Sequence, residues 1–120
     1  MFDAPTDCIL ANITVAQPDI AFVAAQHASR ISERAIEGAP TLAVEILSPS
    51  TEEVDRHRKR ELYARHGVAH YWIVDPIERT IEAHTLEHGI YRISARLAGD
   101  LPVALSPFDD LVLDPAVIWA

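Results

Sequence analysis

A helix whose two ends are both marked in the sequence separates two apolar runs, and this arrangement constrains the fold most. Thr41 to Leu47 precedes the helix and Val68 to Val74 follows it, and each run has the length and composition of a strand. Between them, Ser50 can form a capping box with Glu53, and Gly67 supplies a left-handed C-terminal stop. A strand, a helix and a strand in this order predict a sheet with a helix packed on it.

Further strands are predicted on both sides of this unit. Thr14 to Val23 is an extended, loosely alternating segment, whereas Ser29 to Glu37 is polar and less regular. Thr80 to Leu86 and Ile90 to Leu97 are joined by Glu87-His88-Gly89 in the manner of a hairpin. The tail adds a short strand and a final turn or helix stub. The order of elements therefore predicts an α/β (α+β) protein with a mixed central sheet flanked by helices.

Composition indicates a single folded domain that spans residues 1–120. Hydrophobic residues make up 49% of the chain and charged residues 23%, which is far from the composition of disordered proteins. No apolar run approaches the roughly 18 residues of a membrane helix, and the N-terminus lacks a signal-peptide pattern. The single cysteine, Cys8, cannot form an internal disulfide, and we assign it no function. These features predict a cytoplasmic protein without a membrane partner.

The net charge of -8 limits how the chain could bind nucleic acid. Proteins that bind DNA through its phosphates usually present a basic face. Four of the ten basic residues nevertheless fall in Arg56-His57-Arg58-Lys59-Arg60, and Lys59 is the only lysine in the chain. The sequence is therefore compatible with a local positive face on an acidic body.

Two acids lie among apolar residues in predicted strands. Glu45 is flanked on its own face by Ala43 and Leu47, and Asp19 lies in the extended segment. A buried carboxylate costs several kcal/mol unless a cation or hydrogen bonds compensate it. Mg²⁺ takes carboxylates from proteins together with water and phosphate oxygens, and a lysine can orient a nucleophile or neutralise charge. Asp19, Glu45 and Lys59 are therefore a coherent set for phosphodiester hydrolysis.

Each of these three residues also has a purely structural explanation. Asp19 could simply follow Pro18 in a turn, and Glu45 could lie half-exposed on a solvated sheet face. Lys59 could be solvated, as lysines in charged helices usually are. On the helix, however, Lys59 shares a sector of about 60° with Leu62, so its side chain could point toward the sheet.

Several linked stretches of the sequence closely resemble the Uma family of restriction endonucleases, long described as a domain of unknown function. The resemblance runs from about Ala11 to Trp119, and the motifs occur in the family's order. It implies a restriction-endonuclease-like fold of the PD-(D/E)xK superfamily. The stretches that carry it are Gln17-Pro18-Asp19-Ile20, Gly38 to Thr51, Asp55 to Tyr63, Gly67-Val68 and Tyr71 to Pro76.

This resemblance implies a role for each member of the set. Asp19 and Glu45 would be the ligands of Mg²⁺ (or Mn²⁺) in a DNA endonuclease, and Lys59 would be the catalytic base or charge stabiliser. The superfamily's usual lysine lies two residues after the acid, where this chain has Leu47. In the Uma family the lysine is on the following helix, and Lys59 matches that variant.

The same resemblance adds two expectations. Tyr63 matches the family's pattern and is expected to pack or hydrogen-bond near the site, with Glu61 as a weaker candidate. The family normally carries a helix, a pair of strands and a further acid before the Pro18-Asp19 motif, whereas this chain begins only a few residues upstream. We therefore expect an N-terminally truncated fold whose sheet exposes an edge strand and whose site could lack a ligand.

Other polar and aromatic residues are predicted to be structural. Trp72 and Trp119 are expected in the core or an interface, and Asp75, before Pro76, is expected to cap a turn. The six histidines show no close metal-ligating pair and are expected to be incidental surface residues. They are His27, His57, His66, His70, His84 and His88.

The sequence thus supports function hypotheses from different classes. The first is a metal-dependent DNA endonuclease. The second is a truncated, catalytically silent homologue that serves as a dimerising or nucleic-acid-binding module, and the third is a plain α/β domain without a site. An exposed apolar edge on a chain of net charge -8 favours self-association, so a homodimer is expected.

Overall fold

A six-stranded mixed sheet forms the centre of the protein in a computed structural model, which describes residues 2–3, 7–11, 14–16, 18–30, 35–48 and 53–119. The described strands are β1 (Phe2–Asp3), β2 (Asp7–Ala11), β3 (Thr14–Ala16), β4 (Ile20–Phe22), β5 (Ala35–Glu37), β6 (Leu42–Ile46), β7 (His70–Asp75), β8 (Thr80–Glu87), β9 (Ile90–Leu97), β10 (Val103–Ala104) and β11 (Val112–Leu113). The described helices are α1 (Glu53–Arg65), α2 (Pro115–Ile118) and a 3-10 helix, Ala25–Arg30.

The strands of the central sheet lie in the order β1-β4-β6-β7-β8-β9. β6 and β7 are parallel, with Leu42 paired to His70 and Ile46 to Val74, and the other neighbours are antiparallel. A parallel pair needs a crossover connection, which α1 provides. The strand–helix–strand unit predicted from the sequence is confirmed, and the sheet is mixed as expected.

α1 covers one face of the sheet through a cluster rich in tyrosine. Tyr63 of α1 is fully buried against Ala43, Tyr71 and Tyr91. The ring centroids of Tyr63 and Tyr71 are 5.6 Å apart, and those of Tyr71 and Tyr91 are 5.5 Å apart. Because side chains alternate along a strand, Glu45 shares the face of Ala43 and lies beneath α1.

The C-terminal segment covers the opposite face. Trp72 and Trp119 pack against an apolar cluster there, and Trp72 donates its Nε1–H to the carbonyl oxygen of Ser106 at 2.7 Å. Both tryptophans are partly buried and pack against the core, in line with the expectation that they lie in the core or an interface. The buried members of this cluster are Ile81, Ala83, Leu97 and Leu105.

Two predicted chain reversals are present at glycines with positive φ. α1 ends at Gly67 (φ 76°), where the amide of Val68 donates to the carbonyl oxygen of Tyr63 at 3.0 Å in the geometry of a Schellman motif. The hairpin between β8 and β9 turns at His88 and Gly89, with φ values of 51° and 79°. The predicted capping residue at the start of the helix, Ser50, lies outside the described residues. Neither described α-helix is long and apolar enough to cross a membrane.

The N-terminal third differs from the prediction of one extended segment over Thr14 to Val23. β4 belongs to the central sheet, whereas β3 pairs with β2 in a separate three-stranded sheet of order β3-β2-β5. Pro18 has no amide hydrogen to contribute to a ladder, and the chain bends at Asp19, so one strand cannot continue through both residues. β5 and the 3-10 helix also give structure to the region around Ser29 to Glu37, which was expected to be irregular.

His84 corrects the expectation that every histidine is a surface residue, because only 2% of it is exposed. His84 lies opposite Tyr71 in the β7–β8 pair, and alternation along β8 places its imidazole on the face of α1. There its ring lies 5.9 Å from that of Tyr71 and 6.5 Å from that of Tyr91. Burial lowers the pKa of His84 and also that of His70, which is half-buried.

Candidate active site

Glu45 lies near the end of β6 with its carboxylate buried beneath α1 and only 7% of the residue exposed. Its Oε1 atom accepts a hydrogen bond from the hydroxyl of Tyr63 at 2.7 Å. Its Oε2 atom lies 3.2 Å from Nζ of Lys59. The alternative of a half-exposed acid on a solvated sheet face is therefore wrong.

One turn of α1 supplies both of these partners. Lys59 and Tyr63 are four residues apart, which places them on the same side of a helix. The side chain of Lys59 is 41% exposed, so its ammonium contacts Glu45 from the solvent side, whereas Tyr63 contacts it from the core. The expectation that Lys59 points toward the sheet is confirmed. Tyr63 donates a hydrogen bond to Glu45, one of the three predicted site residues, also as expected.

Asp19 lies beside Glu45 across the β4–β6 pair. β4 and β6 pair with Ile20 against Val44, and Asp19 immediately precedes β4. The negative charge of Asp19 acts on the carboxyl of Glu45, so the two acids are neighbours. Oδ2 of Asp19 accepts a hydrogen bond from the amide of Ile46 at 2.7 Å, which ties the bend to β6. Asp19 therefore does more than follow Pro18 in a turn.

The electrostatics of Glu45 reflect its burial and its neighbours. Loss of water raises the pKa of the Glu45 carboxyl above its ordinary value of 4.5. The hydrogen bond from Tyr63 and the positive charge of Lys59 act to lower that pKa, whereas the negative charge of Asp19 acts to raise it. Because desolvation outweighs the stabilising contacts, the ionised carboxylate would gain from a further cation.

The residues present suit a hard divalent cation. A carboxylate offers about four lone-pair positions, and Tyr63 and Lys59 occupy two of those on Glu45. Within the described part of the chain, no three His, Cys, Asp or Glu side chains gather as a metal-binding group. Two carboxylates are nevertheless enough for Mg²⁺, which keeps several waters and shares phosphate oxygens with its substrate.

Two other predicted residues lie apart from these contacts. Glu61 is exposed and lines a groove on another side of α1. Oδ1 of Asp75 accepts hydrogen bonds from the amides of Ile77 and Glu78, each at 3.1 Å, so Asp75 caps a turn as the sequence predicted.

Comparison with known proteins addresses the family and the fold. A family model, named Uma2 and described as "Putative restriction endonuclease", matches residues 1–116. The chain belongs to the Uma2 family. The match begins at residue 1, ahead of the start near Ala11 expected from the motifs. A search of curated proteins returned no match.

A solved structure shows that this Uma2-family chain has a restriction-endonuclease-like α+β fold. The protein is a "putative nuclease belonging to DUF820" from Anabaena variabilis, with a TM-score of 0.72 and 21% sequence identity. The superposition covers 98% of the present chain and 66% of the solved chain. At this identity the likeness concerns the fold, and the present chain spans about two-thirds of the length of that protein.

Proposed function

We propose that this Uma2-family protein is a metal-dependent DNA endonuclease that hydrolyses phosphodiester bonds. The observation that carries the proposal is the buried carboxylate of Glu45, which lies near Asp19 and 3.2 Å from the only lysine of the chain. A buried acid is costly, and two neighbouring acids add mutual repulsion. A cation bound between the two acids would offset both the cost of burial and the repulsion. Membership of the family and the nuclease-like fold support a nucleic-acid substrate.

Asp19 and Glu45 are the proposed ligands of Mg²⁺ or Mn²⁺. The bond from the Ile46 amide orients Asp19, and the hydroxyl of Tyr63 orients Glu45. When bound, the metal would lower the pKa of a coordinated water and stabilise negative charge on the phosphate. Tyr63 is therefore proposed as a positioning residue, because it acts through Glu45.

Lys59 is proposed to act on the nucleophile or on the developing phosphate charge. Its ammonium lies 3.2 Å from Glu45, and its side chain keeps access to solvent at 41% exposure. An ammonium that reaches both a ligand and the solvent side can hold the attacking water or an equatorial oxygen of the phosphate.

The protein is also proposed to form a homodimer. β9 is an edge strand of the central sheet, and it exposes Ile90 (61%) and Ile93 (59%). An exposed apolar edge is a template for pairing with another strand. A second copy of β9 would provide that strand.

Metal binding tests the proposal independently of cleavage. A ligand at ten times its Kd stabilises the folded state by about 1.4 kcal/mol, which raises the melting temperature by a few degrees. We expect Mn²⁺ to produce this shift in the wild-type protein and not in Asp19→Asn or Glu45→Gln. An equal shift in all three proteins would place the metal elsewhere. No shift in the wild type would favour the catalytically silent homologue.

A further inference from the structure

α1 concentrates positive charge on a protein that is otherwise acidic. Five of the ten lysine and arginine residues lie in this 13-residue helix, although the chain has a net charge of -8. Lys59 faces Glu45. Arg60, the next residue, contacts β9 instead. The positive charge therefore extends beyond the proposed active site.

A groove of about 300 Å³ runs between α1 and the β8–β9 hairpin. Its two walls differ in chemistry, since α1 contributes charged side chains and the hairpin contributes Gly89, Ile90 and Tyr91. A Cβ added at Gly89 would meet no atom within 4 Å, so the hairpin side is open to an approaching chain. The residues from α1 are His57, Arg60, Glu61 and Ala64.

Arg60 is held in place on the wall of this groove. Its Nη2 donates to the carbonyl oxygen of Tyr91 at 3.2 Å, and its guanidinium carbon lies 5.9 Å from the centre of the Tyr91 ring. A guanidinium has five N–H donors in a rigid fork, so the bond to Tyr91 leaves most of them for another acceptor. A fixed arginine also loses little side-chain entropy when it binds a phosphate.

We propose that this groove binds the phosphate backbone of DNA beside the active site. The proposal deepens and rests on the endonuclease function, because it supplies a DNA contact that the acidic centre lacks. Lys59 and Arg60 project from neighbouring flanks of a helix about 10 Å wide, a distance of about three base-pair steps along the axis of a duplex. One strand could therefore contact Arg60 and still present a phosphodiester to Glu45 and Lys59.

Two substitutions in the groove are expected to change the affinity for DNA in opposite directions. Arg60→Gln removes a phosphate contact, so we expect affinity for DNA to fall about fivefold to tenfold and the salt dependence to weaken by about one counterion. Glu61→Gln removes an exposed negative charge from the groove, so affinity should rise a few-fold. Arg79→Gln, in the turn at the other end of β8, removes the same charge as Arg60→Gln and should bind as the wild type does.

The test is fluorescence anisotropy of a short mixed-sequence duplex DNA, titrated with each protein in EDTA at low and at physiological salt. Because no metal is present, binding is measured without cleavage. Glu61 is exposed, so the Glu61→Gln variant decides the question even if Arg60→Gln proves unstable in thermal unfolding. Loss with Arg60→Gln together with gain with Glu61→Gln, against an unchanged Arg79→Gln, supports the groove; if Arg60→Gln is unfolded, the gain with Glu61→Gln against an unchanged Arg79→Gln supports it.

The groove is overturned if the wild type binds no DNA, if Glu61→Gln binds no more tightly than the wild type, or if Arg79→Gln weakens binding as much as Arg60→Gln does. This outcome is separate from the fate of the active site. If DNA binding depends on the groove but the protein does not cleave DNA in Mn²⁺, the proposed nuclease activity is rejected and the proposed groove is retained. Cleavage with unchanged binding by the groove variants would do the reverse.

Discussion

At the residue scale, the side chain of Glu45 is buried between the sheet and α1, although water would stabilise its charge far better. Its contacts with Tyr63 and Lys59 offset only part of this cost, because burial still raises the pKa of Glu45. Buried ion pairs are often neutral or unfavourable relative to uncharged replacements. A residue that costs stability in this way is better explained by function than by folding.

Replacement of Glu45 by glutamine separates these explanations. The folded protein holds the Glu45 proton more tightly than the unfolded chain does, so the wild type loses stability as the pH rises from about 4.5 through the raised pKa. Glu45→Gln keeps an acceptor for the Tyr63 hydroxyl and does not undergo this loss. We expect its free energy of unfolding at about pH 8 to equal that of the wild type or exceed it by about 1 kcal/mol.

Urea unfolding at about pH 5 and about pH 8 measures this difference. Glu78→Gln, on the exposed turn after β7, is the matched control and should change stability by less than about 0.5 kcal/mol. A loss of more than about 1 kcal/mol in Glu45→Gln at the higher pH would instead make Glu45 a structural residue.

At the scale of elements, the sequence was sufficient to predict the structure where a single residue determines the backbone conformation. Gly67 ended α1 as predicted because the left-handed conformation there suits glycine, and the His88-Gly89 turn followed from the same rule. An acid in the apolar run of β6 indicated a buried carboxylate for a similar reason, and Glu45 is buried. The direction of Lys59 toward the sheet followed from the helix face that it shares with Leu62, whereas the proposed roles of Lys59 and Tyr63 came from the family resemblance.

Elements that form by pairing between distant parts of the chain could not be predicted from the sequence in the same way. β2 and β5 pair in parallel across more than twenty residues, and each is too short to show a clear alternation. The burial of His84 depends on its place opposite Tyr71 in the β7–β8 pair, which is set by the packing of the assembled sheet. The contact of Arg60 with Tyr91 joins positions 31 residues apart. Such features arise from tertiary packing, which overrides local propensity.

The end of α1 gives a prediction at this scale. A Cβ at Gly67 would meet no atom within 4 Å, so Gly67→Ala adds backbone strain without a steric clash. The φ of 76° should lower the free energy of unfolding by about 1 kcal/mol in the alanine variant. Gly67→Asn should lose less, because asparagine tolerates this conformation. Equal urea midpoints for Gly67→Ala and the wild type would show that the helix does not need this stop.

At the scale of the whole molecule, charge and sheet edges define the surfaces available to partners. Positive charge is gathered on α1, whereas β9 leaves one edge of the central sheet unpaired within the described part of the chain. These surfaces suit different partners, since α1 carries the proposed DNA contacts and β9 the proposed contact with a second copy.

The dimer is tested at β9. We expect Ile93→Lys to shift the protein toward the monomer, because a charge on an edge strand opposes pairing. Ile77→Lys is the control, since Ile77 is 73% exposed in the β7–β8 turn and away from that edge. Light scattering across a range of concentrations reports the mass. A monomeric wild type, or a dimer that Ile93→Lys leaves intact, would remove this interface.

The most direct test of the proposed activity is cleavage of supercoiled plasmid DNA in Mn²⁺ or Mg²⁺ by the wild type beside Lys59→Ala. We expect metal-dependent nicking or linearisation by the wild type, abolition in EDTA, and a loss of at least about a hundredfold in Lys59→Ala, in line with the removal of one charge-stabilising group. Lys59→Ala should unfold at a lower temperature than the wild type, because it removes a partner of the buried Glu45 carboxylate, so cleavage is compared well below both melting temperatures. Cleavage that persists in EDTA, or that Lys59→Ala leaves unchanged, would contradict an active site built on Asp19, Glu45 and Lys59.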